Sequence, residues 1–268
     1  MRTALTIAGS DSGAGAGIQA DLKTFAALGV YGSSAITALT AQNTVAVTAV
    51  HVAPAAFVAA QIDAVVADLG CDAVKTGMLG TADIVHVVAA AIQRHRLPHV
   101  VVDPVMVAKS GDHLLAAEAV EAVRRGLLPL ADLVTPNVPE AEVLTGRTIR
   151  TVEDAVGAAY ALRLLGARAV VIKGGHLERA DIVDVLLAGD RLIELVGERV
   201  PGVHTHGTGC TFASAIAARL ALGDAIEPAI RAAQAFVREA MRTGIPLGAG
   251  HRPLDHLWKA RAAGILND

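Results

Sequence analysis

The sequence predicts an α/β protein built on a mostly parallel central sheet, with helices on both faces and one small antiparallel hairpin. Short apolar runs alternate along the chain with longer segments of helical spacing, the order that gives a parallel sheet covered on both sides. Hydrophobic residues make up 53% of the chain but aromatic residues only 3%. The apolar mass is therefore Ala, Val, Leu and Ile, as buried parallel strands and packed helices require. Polar and glycine-rich residues recur at the carboxyl ends of the apolar runs, where such sheets bind their ligands.

Residues 4–8 read as the first strand, ended by the polar turn of residues 9–13. Residues 18–28 carry apolar positions at helical spacing and stop at Gly29. Residues 34–40 form the next strand, closing on Gln42-Asn43-Thr44. A β segment over 45–52 leads to Pro54, which suits the first turn of a helix running to Asp68. Short strands follow at 73–75 and 100–102, separated by a helix over 82–95. Strands at 133–135 and 169–172 repeat the pattern around a helix that starts at the good N-cap Thr151. Residues 182–187 and 191–195, joined through Gly189-Asp190, read as the antiparallel hairpin. Two helices, over 208–222 and 225–243, close the main body.

The length of 268 residues fits a single domain over 1–268. Net charge is −3 and no basic run occurs, which argues against nucleic acid or an anionic membrane as the main partner. No Asp, Glu, Lys or Arg occurs between Thr24 and Ile62, but Gly29, Gly32, Gln42, Asn43 and Pro54 interrupt the stretch. It never reaches the roughly 18 consecutive apolar residues of a membrane helix. The apolar run after Arg2 is too short for a secretory signal. The two cysteines, Cys71 and Cys210, stand far apart in unlike contexts, so two reduced thiols are expected rather than a disulfide. These features predict a cytoplasmic protein.

The chemistry gathers at a few junctions. His206-Gly207-Thr208-Gly209-Cys210-Thr211 opens a run of strong helix formers. Such a junction offers unpaired N–H groups and the positive end of a helix dipole to an anion, and the dipole there lowers a thiol pKa. The plain alternative is a helix start with a flexible approach. Gly13-Ala14-Gly15-Ala16-Gly17 after the first strand is similar to a dinucleotide fingerprint, but the second strand ends on Gln42-Asn43 with no carboxylate to hold a ribose. A loop held close over a small ligand explains these glycines better.

Asp103 ends a strand of three valines, and either caps the next turn or faces a ligand. Asn137 and Glu140 stand three apart at a helix start, as an Asn cap with an early Glu or as a pair facing one side. With Asp103 and a phosphate loop in the same crevice, Mg²⁺ held through water becomes plausible. Lys173 precedes two glycines at a strand end, as a surface lysine or as a mobile counter-charge to ATP phosphates. His176, His204 and His206 lack a zinc spacing.

Several segments in one order resemble the hydroxymethylpyrimidine/phosphomethylpyrimidine kinases of thiamine biosynthesis, within the ribokinase-like superfamily. They are residues 4–13 (ALTIAGSDSG), 17–24 (GIQADLKT), 40–44 (TAQNT), 75–78 (KTGM), 103–106 (DPVM) with 109–112 (KSGD), 135–137 (TPN) with Glu140, 173–177 (KGGHL) and 205–211 (THGTGCT). The resemblance implies a ribokinase-like fold, ATP as co-substrate, Mg²⁺ and a homodimer. It implies a substrate site of Gln42, Gly9, Asp21, Met78 and Val105. An amide side chain at Gln42 suits an aminopyrimidine edge, because it both donates and accepts. It implies Asp103, Asn137, Lys173 and Thr208 around the nucleotide, Asn137 and Glu140 at the metal, and Gly207, Gly209, Cys210 and Lys173 in catalysis. In this picture the amides of residues 207–210 form an anion hole.

Cys210 stands where the wider superfamily places an Asp base, so it is either a thiolate base for the hydroxymethyl group or a small residue closing the pocket. Two departures from the family pattern occur. The family's run of three glycines is here interrupted by Ala14 and Ala16, and its Lys-Asn pair before Thr205 is replaced by Val203-His204. The alternatives are a pyridoxal or pyridoxine kinase, a dual-specificity enzyme, and a nucleotide-binding module without catalysis.

Overall fold

The computed structural model describes residues 1–106, 117–202 and 205–266. Along the chain run β1 (Thr3–Asp11), α1 (Gly17–Ala27), β2 (Tyr31–Gln42), β3 (Val47–Val52), α2 (Ala55–Asp68), β4 (Ala73–Thr76), α3 (Ala82–His95) and β5 (Val100–Val102). Then come α4 (Ala117–Ala122), β6 (Leu133–Val134), α5 (Val138–Thr145), α6 (Val152–Leu164), β7 (Ala169–Ile172), β8 (Ile182–Ala188) and β9 (Arg191–Gly197). The chain ends with α7 (Thr208–Ala221), α8 (Ile226–Arg242) and α9 (Trp258–Ala262).

The strands form one sheet in the order β3-β2-β1-β4-β5-β6-β7-β8-β9. The pairs from β2 through β7 are parallel, and the outer pairs β2–β3, β7–β8 and β8–β9 are antiparallel. The hairpin thus lies where the sequence puts it. The β3 segment is an antiparallel edge that the sequence left unassigned in direction. Strand order reverses beside β1, where β2 continues to one side and β4 to the other, so the crevice at its carboxyl end is the switch point.

Alternation along the strands divides the core in two. Leu5, Ile7, Val100 and Val102 point to the layer of α2, α3, α5 and α6. Ala4, Val101 and Ala169 point to the layer of α1, α7 and α8. The helix starts follow local chemistry. Thr81 and Thr151 accept from the amides of Ile84 and Asp154, and Asp154 returns the bond in a capping box. Pro54 stands just outside α2 rather than in its first turn. Helices α4 and α9 were not evident in the sequence. Among the described residues no helix is long and apolar enough to cross a membrane.

Candidate active site

The floor of the crevice is a buried charge network. Lys75 on β4 lies 2.9 Å from Asp21 on α1, with both side chains fully buried. Asp21 also accepts from Thr6 Oγ1 at 2.6 Å and Ser214 Oγ at 2.6 Å. Burial works against the Lys75 charge, but Asp21, with Cys210 and Asp103 beyond it, holds the ammonium well above its ordinary pKa. The two oxygens of Asp21 are taken by internal donors and it has no exposed surface, so in this structure it braces the floor.

Beside this floor the ends of β5, β7 and α5 converge. Lys173 Nζ donates to Asp103 Oδ1 at 3.0 Å and stands 3.9 Å from Glu140 Oε2. Thr135 Oγ1 donates to the same Asp103 oxygen at 3.2 Å. Burial disfavours the charge on Lys173, yet Asp103 and Glu140 outweigh it and raise its pKa. Glu140 responds the other way: burial pushes its carboxyl up to about 7, aided by Asp103 and opposed by Lys173 and the Asn137 amide. Asn137 and Glu140 form a complete capping box at the start of α5, Asn137 Oδ1 accepting from Glu140 N at 2.9 Å and Glu140 Oε2 from Asn137 N at 2.8 Å. The plain helix-start role is therefore present, with the carboxylate still aimed at Lys173.

Helix α7 delivers its first turn to this cluster. A methyl group added to Gly209 would stand 3.3 Å from Lys173 Nζ and 3.8 Å from Asp103 Oδ2. No side chain caps the helix start, and Gly207 at its N-cap has φ of 81°. Thr208 turns its hydroxyl back to the Thr205 carbonyl, 3.2 Å away. An uncapped helix start beside a lysine offers backbone amides of the kind that anions accept from. Cys210 differs from expectation. The residue is half-buried, and desolvation pushes the thiol pKa up to about 11, with Asp21 and Asp103 adding and Lys75 and the Gly17 amide opposing. The dipole of α7 does not overcome that burial, so the resting group at neutral pH is the thiol. Cys71 is likewise a free thiol, raised to about 11 by burial.

Of the remaining substrate residues, Val105 and Gln42 line two separate hollows, and Gly9 and Met78 line neither. Gly9 packs beside Met78, where an added methyl would lie 3.4 Å from Met78 Sδ. Val105 lines a small cavity with Thr76, Gly77 and Asp103. Gln42 stands further out, lining a second hollow with Asn43, His206 and His251, and its Oε1 accepts from Thr40 Oγ1 at 3.0 Å. Residues 109–112 and Val203-His204 lie outside the described residues.

Sequence reasoning missed two supports. Asp184 on β8 accepts from the Gly174 amide at 2.8 Å and from Gln234 Nε2 at 2.8 Å, fixing the turn behind Lys173. Burial raises its pKa against those bonds. Asp11 gathers the glycine loop and meets His206 at 2.8 Å. No sequence pattern marks these positions, because the partners that tie them to other elements, His206 for Asp11 and Gln234 for Asp184, are far away in sequence.

The oxygen donors of Asp103 and Glu140 are of the hard kind that Mg²⁺ takes. Among the described residues no group of three His, Cys, Asp or Glu is placed to hold an ion alone. The donor set thus fits an ion completed by water and phosphate oxygens.

Fold and site define a small-molecule phosphotransferase of the α/β class. Residues 11–255 match the family model of phosphomethylpyrimidine kinase. The chain is 51% identical over 254 residues to the hydroxymethylpyrimidine/phosphomethylpyrimidine kinase of Bacillus subtilis, covering 94% of each chain. It is 54% identical over 256 residues to the thiamine biosynthesis bifunctional protein of Geobacter sulfurreducens, covering 96% of this chain but 52% of that longer protein. Among solved structures, an ADP complex of Bacillus subtilis pyridoxal kinase superposes with a TM-score of 0.88 at 41% identity, covering 96% of this chain and 97% of that one. The chain belongs to the phosphomethylpyrimidine kinase family.

Proposed function

We propose that this enzyme transfers the terminal phosphoryl group of ATP to 4-amino-5-hydroxymethyl-2-methylpyrimidine, and then to the resulting monophosphate, giving the diphosphate used in thiamine diphosphate biosynthesis. The observation that carries this reading is the meeting of the uncapped α7 start with the Asp103–Lys173 pair beyond the carboxyl ends of β5 and β7. Phosphoryl transfer needs positioning and charge neutralisation more than covalent chemistry, and both are built here.

In this reading Gln42 takes the aminopyrimidine edge, while Gly9, Met78 and Val105 line the ring. Asn137, Thr208 and Asp103 face the nucleotide, and Lys173 moves its charge between Asp103 and the transferring group. The amides of Gly207, Gly209 and Cys210 receive the phosphoryl oxygens. Asn137 and Glu140 would hold Mg²⁺ through water, and the ion when bound neutralises polyphosphate charge. In the first step a proton leaves the hydroxymethyl oxygen, and Cys210 takes it only in the thiolate form. In the second step the acceptor oxygen is already anionic and needs no base. The family resemblance also supports a homodimer, which sedimentation velocity tests, and two free thiols with an ATP co-substrate suit the cytoplasm.

A second reading, phosphorylation of pyridoxal, is supported by the 41% identity to a pyridoxal kinase. One ADP-release assay with hydroxymethylpyrimidine, its monophosphate, pyridoxal and ribose decides between them. Turnover with both pyrimidines is expected. Turnover with pyridoxal alone overturns the main reading, and ATP binding without any acceptor-dependent ADP release overturns catalysis.

A further inference from the structure

Asp11, the last residue of β1, holds the glycine loop by its backbone. Its Oδ1 accepts from the Gly13 amide at 2.8 Å, and its Oδ2 from Gly15 at 3.1 Å and Ala16 at 2.8 Å. A fourth donor comes from the other end of the chain: His206 Nε2 lies 2.8 Å from Asp11 Oδ2, with side-chain exposures of 8% and 3%. Burial opposes ionisation of Asp11, but His206 and the Ala16 and Gly13 amides outweigh it and hold the carboxyl below its ordinary range. A carboxylate only accepts, so the imidazole carries its proton on Nε2.

The backbone around this pair is shaped for contact. A methyl group on Gly15 would stand 2.1 Å from His206 Cδ2, and one on Gly207 would stand 1.9 Å from the Gly15 carbonyl oxygen. Only glycine at both places lets the loop and the start of α7 touch. From the far side, the His206 amide donates to the Arg252 carbonyl at 3.2 Å. The imidazole is thus fixed between the C-terminal segment and the loop.

We propose that Asp11 and His206 form a clasp that locks the loop after β1 onto the first turn of α7, and so sets the acceptor oxygen against the transferring phosphoryl group. Both are positioning residues in this proposal, and Asp11, unlike His206, does not line the hollow beside Gln42. The proposal rests on the reading that the α7 amides receive that group. Acceptor side and phosphoryl side are built by elements that this bond joins near their tips, beside the contact of the Gly17 amide with Cys210. Without it each ligand still binds its own element, but their mutual alignment loosens, and a misplacement of about 1 Å costs roughly 10²-fold in rate.

The test compares His206→Ala, His206→Asn and His206→Gln with wild type, measuring kcat, KM for ATP and Tm with hydroxymethylpyrimidine as acceptor. The Gln side chain is long enough to donate to Asp11, whereas Asn is too short. Expected are a fall in kcat of about tenfold or more for Ala and Asn, a KM for ATP within about threefold, and recovery of most of kcat in Gln. The Asn variant stands for the broken clasp if the Ala variant does not fold. Equal kcat in the Asn and Gln variants, whether unchanged or equally reduced, overturns the clasp, as does a loss that tracks Tm alone. A wild type that turns over pyridoxal but not the pyrimidine overturns the substrate reading, and the same series with pyridoxal still decides the clasp.

Discussion

Lys75 Nζ lies 2.9 Å from Asp21 Oδ2 where neither side chain reaches solvent. Removing one member of a buried pair leaves an uncompensated charge, which costs about 3–5 kcal/mol, whereas replacing both with apolar groups is often neutral. Lys75→Met alone should therefore lose about 3–5 kcal/mol in urea unfolding. The double change Lys75→Met with Asp21→Leu should recover most of that loss. A single variant within about 1 kcal/mol of wild type would show that water or relaxation reaches the pair.

The raised thiol of Cys210 makes a pH prediction. Its pKa is pushed up to about 11, so at pH 7 the thiolate is about one part in 10⁴ and grows tenfold per pH unit. If the thiolate is the base, the rate of the first phosphorylation rises with that slope above neutrality while the second stays flat. Cys210→Ala should abolish the rise and slow the first step by about 10²–10⁴-fold, sparing the second. Cys210→Asp should recover part of the first step. Equal slowing of both steps, or a flat profile in wild type, removes the base role and leaves Cys210 as part of the anion hole.

Glu140 titrates near neutrality because burial holds its carboxyl up to about 7. The carboxylate is lost as pH falls through that value, so wild type should need more Mg²⁺ at pH 6 than at pH 8. Glu140→Gln keeps a capping-box side chain but carries no charge, so its Mg²⁺ requirement should be high at both pH values. The stability effect has the opposite sign. The folded protein binds this proton more tightly than the unfolded chain, so this group favours folding as pH falls from about 7 towards 4.5. Identical Mg²⁺ titrations in the two proteins would confine Glu140 to its helix-start role.

Gln42→Ala should weaken pyrimidine binding by roughly 1–3 kcal/mol, the cost of leaving ring polarity unmatched. ATP affinity, measured by calorimetry on the same protein, should stay near wild type. Equal weakening of both ligands would take Gln42 out of the substrate site.

Ala14 adopts φ of 59°, the left-handed region that costs a residue with a Cβ about 1–2 kcal/mol. Ala14→Gly removes that strain but adds chain entropy in the unfolded state, so a net gain of up to about 1 kcal/mol is expected. A loss of stability on thermal unfolding would mean that the methyl group packs usefully in the loop.

What was legible in the sequence is local. Thr81 and Thr151 cap their helices as their types dictate, and the turn at Gly189-Asp190 closes its hairpin. The motif positions Asp103, Lys173 and Gly209 meet because each follows a strand end or begins a helix at one edge of the sheet. What escaped depends on distance in the chain. The partner of Asp21, Lys75, lies 54 positions away and holds the carboxylate inward. His206 reaches Asp11 across 195 positions, and no periodicity in the sequence signals such a bond. The raised Cys210 thiol escaped for a related reason: the helix dipole is visible in the sequence, whereas the desolvation that outweighs it is not.

Helix α7 has buried residues on every side, Thr211 through Ala218 with Leu220 and Ala221, and five of them are alanines. Small side chains bring its backbone close to the sheet and to α1 and α8, so from Thr211 onward it is an embedded rod that carries its first turn at a set place. Two consecutive acceptors of different length must nevertheless present an oxygen to that same tip. With the phosphoryl cradle fixed, the accommodation falls to the ring: between the first turnover and the second, the pyrimidine must draw back along the crevice by the length of the phosphate it has gained.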